Sequence, residues 1–212
     1  LYRNFCGYTS FQVDITEFVE YGDMLNHVSV YVDTRDFEGW WYEGAGIYRH
    51  VWLIKTAPVC VETWGTHVDA RCIGGRTWQV RAEAEIRSIA YQDHRITVRQ
   101  EILDSRGERV AWGETELTAQ PRTISPAAII LEVEDPALWS CDAPNLYTMR
   151  TVVLENGTEL DTYDTVFGFR TLAYTMEGLL LNGAPVKFKG VCAHEDHANL
   201  GVAVPGDVRK RR

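Results

Sequence analysis

The chain has 212 residues, of which 45% are hydrophobic and 24% are charged, and its formal net charge at pH 7 is −9. This length allows one large domain or two smaller ones, and the composition is that of a globular protein with a buried core. The negative charge argues against nucleic acid or an anionic membrane surface as the main partner, since both require a basic face. No apolar run approaches the ~18 residues of a membrane span. The chain starts at Leu1 rather than at a methionine, so we expect it to be part of a longer polypeptide.

The first half of the sequence is dominated by strand signals. A strand-rich block runs from Phe11 to Lys55 and is too short to form a complete domain. Residues Trp78 to Arg87 then place an apolar residue at every second position with charges between them, which predicts a strand with one face on a core. Pro121 and Pro126 are predicted to lie in the longest connection between strands.

Two hairpins are predicted on either side of that connection. The first pairs a strand that starts at Arg95 with one that starts at Val110. The second starts at Tyr147 and turns at Asn156-Gly157, and Asn-Gly is the strongest short hairpin signal because both residues tolerate positive φ. Strands at this spacing, with almost no helical periodicity, predict an antiparallel β-sandwich of immunoglobulin size.

The pattern changes after Thr171. Leu179 to Gly183 predicts the start of a small hairpin, and Val186 to Val191 an apolar strand that runs into a polar, His-rich loop. A strand that ends in a loop of titratable side chains is typical of the C-terminal face of a (β/α)8 barrel.

Five short motifs follow one another in a fixed order along the chain. Taken together, their order and spacing resemble the family 2 glycoside hydrolases of the β-galactosidase branch, and the resemblance covers essentially the whole chain. The motifs are Trp-Tyr-Glu-Gly-Ala-Gly-Ile-Tyr-Arg-His-Val-Trp-Leu at 41–53, Pro-Ala-Leu-Trp-Ser-Cys-Asp-Ala-Pro-Asn-Leu-Tyr at 136–147, Phe-Gly-Phe-Arg at 167–170, Leu-Asn-Gly at 181–183, and Lys-Gly-Val-Cys-Ala-His-Glu-Asp-His at 189–197.

The resemblance implies a mainly β chain with three parts. Residues 1–57 would be the C-terminal part of a jelly-roll sugar-binding domain, and residues 58–172 a complete immunoglobulin-like β-sandwich. Residues 173–212 would be the start of the catalytic (β/α)8 barrel, truncated near its first helix. The implied activity is that of a retaining exo-β-glycosidase acting on terminal β-D-galactosyl residues.

The resemblance also implies where the catalytic residues lie. Retaining glycosidases use two carboxyl groups, one nucleophile and one acid/base. In this family both are glutamates on later barrel strands, so we expect both to lie beyond the end of this chain and assign no catalytic residue within it. Glu195 and Asp196 do not replace them, because adjacent residues on an extended segment point to opposite sides. The isolated chain is therefore expected to be inactive.

Three residues are candidate sugar ligands by the same resemblance. Family members carry a histidine at the position of His194, where it would hydrogen-bond a ring hydroxyl. A carboxylate from a jelly-roll loop also reaches the sugar, which indicates Asp36 or its neighbour Asp33, since carboxylate oxygens accept bonds from vicinal hydroxyls. A histidine satisfied by its own loop and a solvated acidic turn are the plain structural alternatives. Arg49 and Arg170 are expected to be paired structural ions between domains.

No metal site is predicted within the chain. The His194-Glu-Asp-His197 run lacks the spacing of a zinc-binding helix, and the five cysteines show no Cys-x-x-Cys pair and are expected to be buried thiols. Several family members use Mg²⁺ or Na⁺, so these are the cofactors implied for the parent enzyme. The implied partner is a β-galactoside, with no nucleic acid and no membrane, and a homo-oligomeric parent and the cellular compartment stay open.

Four other functions are compatible with the sequence. The chain could be a carbohydrate-binding module that recognises sugar without chemistry, or an immunoglobulin-like interaction domain. Within the same family, β-glucuronidase and β-mannosidase activity remain alternatives to β-galactosidase activity.

Overall fold

The computed structural model describes residues 2–5, 9–33, 46–47, 50–176, 178–192, 197, 200–201 and 203–211. These residues contain ten β-strands and one short α-helix. The chain divides into two compact units, Trp52–Val191 on the one hand and Leu1–Val51 with Cys192–Arg212 on the other. Within the described part, no helix has the length and apolar character needed to cross a membrane.

Seven strands of the larger unit form an immunoglobulin-like β-sandwich, which confirms the predicted fold class. One sheet has the strand order β1-β2-β5 and the other the order β4-β3-β6-β7, and every pair is antiparallel. The strands are β1 (Val59–Gly74), β2 (Thr77–Ser88), β3 (His94–Leu103), β4 (Arg109–Ala119), β5 (Ile124–Glu134), β6 (Tyr147–Glu155) and β7 (Thr158–Phe167).

Both predicted hairpins are present, and the turn at Asn156-Gly157 has the predicted chemistry. Asn156 and Gly157 link β6 to β7 with φ values of 49° and 78°, a backbone that most residues avoid and that Asn-Gly adopts readily. Between β3 and β4, Asp104 Oδ1 accepts backbone N–H bonds from Arg106 and Glu108, each 2.9 Å long. These bonds lower the pKa of the Asp104 carboxyl, that from Glu108 having the largest effect.

The core between the two sheets consists of two hydrophobic clusters. One includes Ile86, Val98 and Val153, and the other includes Val80 and Phe169. Full burial of an aliphatic side chain of this size contributes about 1.5–3 kcal/mol, so these positions supply much of the folding free energy.

A polar pair lies between the two clusters. Gln100 on β3 and Thr151 on β6 are cross-strand partners, and both are buried. Among the described residues, Gln100 Nε2 and Thr151 Oγ1 find no hydrogen-bond partner. The core is therefore apolar at both ends and polar in the middle.

The structure corrects two predictions. Pro126 lies inside β5 rather than in a connection; β5 is an edge strand, where proline is tolerated because one side of the strand has no hydrogen-bonded neighbour. Cys60 is buried as expected, but Cys72, Cys141 and Cys192 are exposed.

The described residues of the segments that flank the sandwich contain less regular structure than the sequence predicts. The described residues before Val59 form no strand, although a strand-rich block was expected from Phe11 to Lys55. Of the strand expected from Val186 to Val191, only Val186 is extended in a sheet, and Val191 is 93% exposed. An isolated β-strand is not stable without a partner, and the described residues offer none to either segment.

A small sheet and a short helix complete the described structure. The sheet has the order β10-β9-β8 and belongs to the larger unit. Its strands are β8 (Leu172–Thr175), β9 (Gly178–Leu181) and β10 (Ala184–Val186), and the helix is α1 (Gly206–Lys210). The assignment of the flanking segments to a jelly roll and a barrel stays a prediction.

Candidate functional site

Of the three predicted sugar ligands, only Asp33 belongs to the described residues. Its side chain is exposed, and Oδ2 accepts a hydrogen bond of 3.1 Å from the hydroxyl of Tyr31. His194 and Asp36 lie outside the described residues.

Two of the sequence motifs meet at one end of the sandwich. The loop between β5 and β6 carries Leu138 and Trp139, and the residue after β7 that meets it is Phe169. Leu138 forms a parallel bridge with Phe169, and the Trp139 backbone N–H donates a 2.8 Å bond to the Phe169 carbonyl. The motifs at 136–147 and 167–170 are separate in the sequence, and these backbone hydrogen bonds join them in the folded chain.

Asn182 connects one more of the sequence motifs, Leu-Asn-Gly at 181–183, to this structure. Its Nδ2 donates a 2.9 Å bond to the carbonyl of Trp139, and its Oδ1 accepts a 2.9 Å bond from the Thr171 backbone N–H. Its own backbone N–H donates to the Thr171 carbonyl, also at 2.9 Å. One asparagine therefore holds the start of the small sheet against the Trp139 loop.

An aromatic cluster lies beneath these hydrogen bonds. Phe169 is fully buried, and its ring makes edge-on contacts with three others. The centroid distances are 5.5 Å to Trp78, 4.8 Å to Tyr147 and 5.2 Å to Phe167. Edge-to-face packing of this kind adds about 0.5–1.5 kcal/mol per pair to the burial of the rings.

The surface of this junction forms an open cleft. Gly168 allows Trp139 to approach, because a Cβ at residue 168 would lie 3.0 Å from the Trp139 Cβ. Arg170 is exposed and stacks over the Trp139 indole with Cζ 4.9 Å from the ring centroid, so it is not the paired, desolvated ion that was expected. The cleft has a volume of about 430 Å³ and is lined by Val68, Asp69, Ala70, Trp139, Leu146, Val166, Phe167, Gly168 and Arg170.

The cleft lacks the groups needed for glycoside hydrolysis. A retaining glycosidase requires two facing carboxyl groups, and the lining supplies only Asp69, which is ion-paired with Arg71 at 2.6 Å. The indole face that could stack on a sugar is covered by Arg170. The junction of the three motifs therefore has a structural role in positioning the small sheet relative to the sandwich.

The described residues do not form a metal site. They contain no group of three or more His, Cys, Asp and Glu side chains suited to hold an ion.

One surface feature was missed in the sequence. Between Val61 and Thr66 the register of β1 against β2 shifts, and the bulge contains Trp64, which is 63% exposed and has a φ of 61°. Gly65, which interrupts a strand pattern, was the available signal, since an isolated glycine in a strand often marks a bulge.

Comparison with known proteins identifies relatives over nearly the whole chain. Residues 63–170 match the family described as "Glycosyl hydrolases family 2". The chain is 35% identical over 200 residues to the β-galactosidase BoGH2A of Bacteroides ovatus, covering 93% of this chain and 23% of that protein. It is 34% identical over 200 residues to a protein of Formosa agariphila whose name marks it as a candidate β-glucuronidase, covering 93% of this chain and 18% of that protein.

A solved structure supports the same relationship. A glycosyl hydrolase family 2 member from Bacteroides cellulosilyticus superposes with a TM-score of 0.77 at 30% sequence identity, covering 85% of this chain and 25% of that chain. The chain thus spans about a quarter or less of the length of these relatives.

Proposed function

The chain belongs to glycosyl hydrolases family 2, and on that premise we propose that it forms part of a retaining exo-β-glycosidase that removes terminal β-D-galactosyl residues. The observation that carries this proposal is its 35% identity to a β-galactosidase over 93% of the chain. Because the chain spans 23% of that relative, the activity is proposed for a polypeptide that contains it.

We assign the parts of the chain within that enzyme as follows. Residues 1–57 contribute to a jelly-roll sugar-binding domain, residues 58–172 are the linking sandwich, and residues 173–212 begin the catalytic barrel. The seven-stranded sandwich from Val59 to Phe167 supports the central assignment, as does its agreement with the family match at 63–170.

The proposed chemistry divides between this chain and the barrel. Two glutamates on later barrel strands act as nucleophile and acid/base, through a covalent glycosyl-enzyme intermediate that water then hydrolyses. His194, with Asp36 or Asp33, binds hydroxyls of the terminal sugar. Hydrogen bonds of this kind strengthen as the sugar distorts towards the transition state, so they contribute to rate as well as to binding.

Hydrolysis of aryl glycosides tests the proposal. The complete polypeptide that contains this chain should release 4-nitrophenol from the β-D-galactoside and give the β-anomer of galactose first, as seen by NMR. The 212-residue chain alone should give no more product than buffer. Turnover by the isolated chain, or an α-anomer as first product, would contradict the proposal.

A β-glucuronidase is the second candidate, because a relative at nearly the same identity carries that designation. The two substrates differ in the configuration of the C4 hydroxyl and at C6, where the glucuronide carries a carboxylate that a glucuronidase must pair with cationic or hydrogen-bond-donating groups. Comparing kcat/KM for the aryl β-galactoside and the aryl β-glucuronide separates them. A preference of at least a hundredfold for the galactoside is expected, and the reverse preference would assign the second activity.

A further inference from the structure

We propose that the free edge of β1 beyond Thr66 is an interface for a second copy of this chain, whose own β1 adds to it in antiparallel register about Ala70. The inference concerns the sandwich alone and does not depend on the glycosidase activity proposed above. An edge strand presents unpaired backbone N–H and C=O groups, so it can continue a sheet from one molecule into the next.

One side of the sandwich is closed by its own side chains. β4 and β5 are the edge strands there. Gly113 of β4 lets the Ile129 side chain of β5 approach closely, and the Thr115 hydroxyl donates a 3.4 Å bond to the Ala128 carbonyl. Pro126 within β5 also has no N–H to offer to a further strand. This side is therefore poorly suited to sheet extension.

The other side, between edge strands β1 and β7, is closed over only part of its length. Among the described residues, the last hydrogen bond between these two strands joins the hydroxyls of Thr66 and Thr165 at 2.7 Å. β7 ends at Phe167, two residues later, whereas β1 continues to Gly74. No strand in the described part of the chain pairs with this remaining edge of β1.

The cleft described above opens where the two strands part. Residues 68–70 of β1 line it together with residues 166–168 at the end of β7. Ile73 on this edge is 53% exposed and Val166 in the cleft is 62% exposed, so a partner strand has apolar surface to cover as well as backbone groups to pair. Residues 68–72 contain no proline or lysine, which are common means of blocking an edge strand.

The charges on this edge are self-complementary. Asp69 and Arg71 alternate with residues that pack on the core, so they lie on the outer face of the sheet, where they form an ion pair of 2.6 Å. In an antiparallel pair centred on Ala70, Asp69 of each copy faces Arg71 of the other. Opposite charges at facing positions stabilise a strand pair, and the contact forms twice because a two-fold axis relates the copies.

The same charges select this register over its neighbours. A pair centred on Asp69 or on Arg71 would place that residue opposite its own copy, and like charges at facing positions destabilise a strand pair. A shift by a single residue would place the core-facing side chains of one copy beside the outer face of the other. A second copy in the register about Ala70 is therefore the occupant that the edge fits.

Sedimentation velocity of the 212-residue chain over a range of concentrations tests the proposal, and the wild type should show a monomer–dimer equilibrium. D69R and R71D each place like charges at the facing positions, so each should weaken self-association at least about tenfold. An equimolar mixture of D69R and R71D should recover dimers, because each facing pair then joins an arginine to an aspartate. E114R is the matched control, since Glu114 pairs with Arg99 at 2.7 Å on the other sheet; it should dimerise like the wild type.

Cysteine cross-linking tests the register without a change of charge. In a background with C6S, C141S and C192S, V68C should form a disulfide-linked dimer, because residue 68 faces the exposed Cys72 of the second copy. Facing Cα atoms lie about 4.5–5.5 Å apart, within the range of a disulfide. Positions 68 and 72 of one strand are about 13 Å apart, so the bond must join two chains. H67C, one position out of register, is the control and should cross-link far less.

The two experiments have outcomes that overturn the proposal. A wild-type chain that stays monomeric at every concentration would do so, as would a mixture of folded D69R and R71D that forms no dimer. Dimerisation weakened as much by E114R as by D69R would assign the effect to general destabilisation. Equal cross-linking of V68C and H67C, or none with V68C, would exclude the register about Ala70 even if the charge variants failed to fold.

Discussion

The side-chain amide of Asn182 donates a 2.9 Å hydrogen bond to the main-chain carbonyl of Trp139, 43 residues earlier in the chain. The same amide accepts a 2.9 Å bond from the backbone of Thr171. Two of the motifs that identify the family are thus hydrogen-bonded to each other. A short asparagine at a positive φ of 50° can make both bonds and still begin the turn before Ala184.

Replacement of Asn182 by alanine is expected to destabilise the chain by about 2 kcal/mol, because it removes two hydrogen bonds and leaves a part-buried carbonyl without its partner. Urea unfolding followed by circular dichroism measures this change. Asn156 provides the control, since it has a φ of 49° and also precedes a glycine. N156A should cost about 1 kcal/mol through backbone strain alone, and equal losses in the two variants would contradict the role assigned to the Asn182 side chain.

Replacement of Gln100 by methionine should stabilise the sandwich by about 1 kcal/mol. The Gln100 side chain is buried between the two clusters, and its Nε2 has no partner among the described residues. Burial of an unsatisfied amide costs about 1–3 kcal/mol, which an apolar side chain of similar shape avoids. T148V, a change at a half-buried position of β6 outside the core, is the comparison and should alter the unfolding midpoint little. A destabilised Q100M would mean that the amide is satisfied in solution.

The Cys60 thiol should resist alkylation while the fold is intact. Burial raises the pKa of Cys60, outweighing the opposite effects of the Thr56 hydroxyl and Arg87. A raised folded pKa means less thiolate, and the thiolate is the reactive form. Iodoacetamide at pH 8 followed by peptide mass spectrometry should label the exposed Cys72 and Cys141 and leave Cys60 unlabelled until urea is added.

The same shift predicts how stability depends on alkaline pH. Because the folded pKa of Cys60 lies above its unfolded value, its contribution is complete below an unfolded pKa of about 8.5 and is lost as pH rises through the folded pKa. C60A should remove this part of the pH dependence. If iodoacetamide labelled Cys60 in the folded chain as fast as Cys72, the thiol of Cys60 would be accessible to solvent, and both predictions for Cys60 would be wrong.

Asp164 should make a small, acid-sensitive contribution to stability. It accepts bonds of 2.9 and 2.8 Å from Arg150 across β6 and β7, and these lower the pKa of the Asp164 carboxyl. A depressed folded pKa gives stability that is present above the unfolded pKa of about 3.9 and is lost as pH falls through the folded pKa. Both side chains are more than 40% exposed, so solvent screening limits the effect to about 0.5 kcal/mol.

D164N measures this contribution by thermal unfolding at pH 7 and at pH 2.5. The variant should be less stable than the wild type at pH 7, and the gap should narrow at the lower pH and in 1 M NaCl. D142N, in an exposed loop, should show no such pattern. A gap that stays constant with pH would exclude the ion pair as its cause.

His194→Ala in the complete enzyme should lower kcat/KM by roughly tenfold to a hundredfold, equivalent to ~1.4–2.7 kcal/mol of transition-state stabilisation. A larger change in kcat than in KM is expected, since the proposed bond strengthens in the transition state. H197A is the control, because the backbone of His197 closes a turn with Gly201 by bonds of 3.1 and 3.0 Å that do not need its side chain. Equal losses of kcat/KM in the two variants would contradict the proposal that His194 binds the sugar.

The sequence by itself determined the class of fold and the family. Alternation from Trp78 to Arg87 and the Asn156-Gly157 turn are local signals, because side-chain period and positive φ act within a few residues. The tertiary structure decided what the motifs do. Phe169 and Arg170 are adjacent residues of one motif. Phe169 is buried at the centre of an aromatic cluster, whereas Arg170 is exposed and stacks over Trp139.

Trp64 illustrates the same division. Glycine after tryptophan could be recognised as a break in β1, but the bulge around Trp64 is hydrogen-bonded by three side chains of β7 that lie about 100 residues further along the chain. Contacts between residues this far apart have no local period in the sequence. Only the packing of the two sheets brings them together, and that packing turns a break in a strand pattern into a rigid feature of the surface.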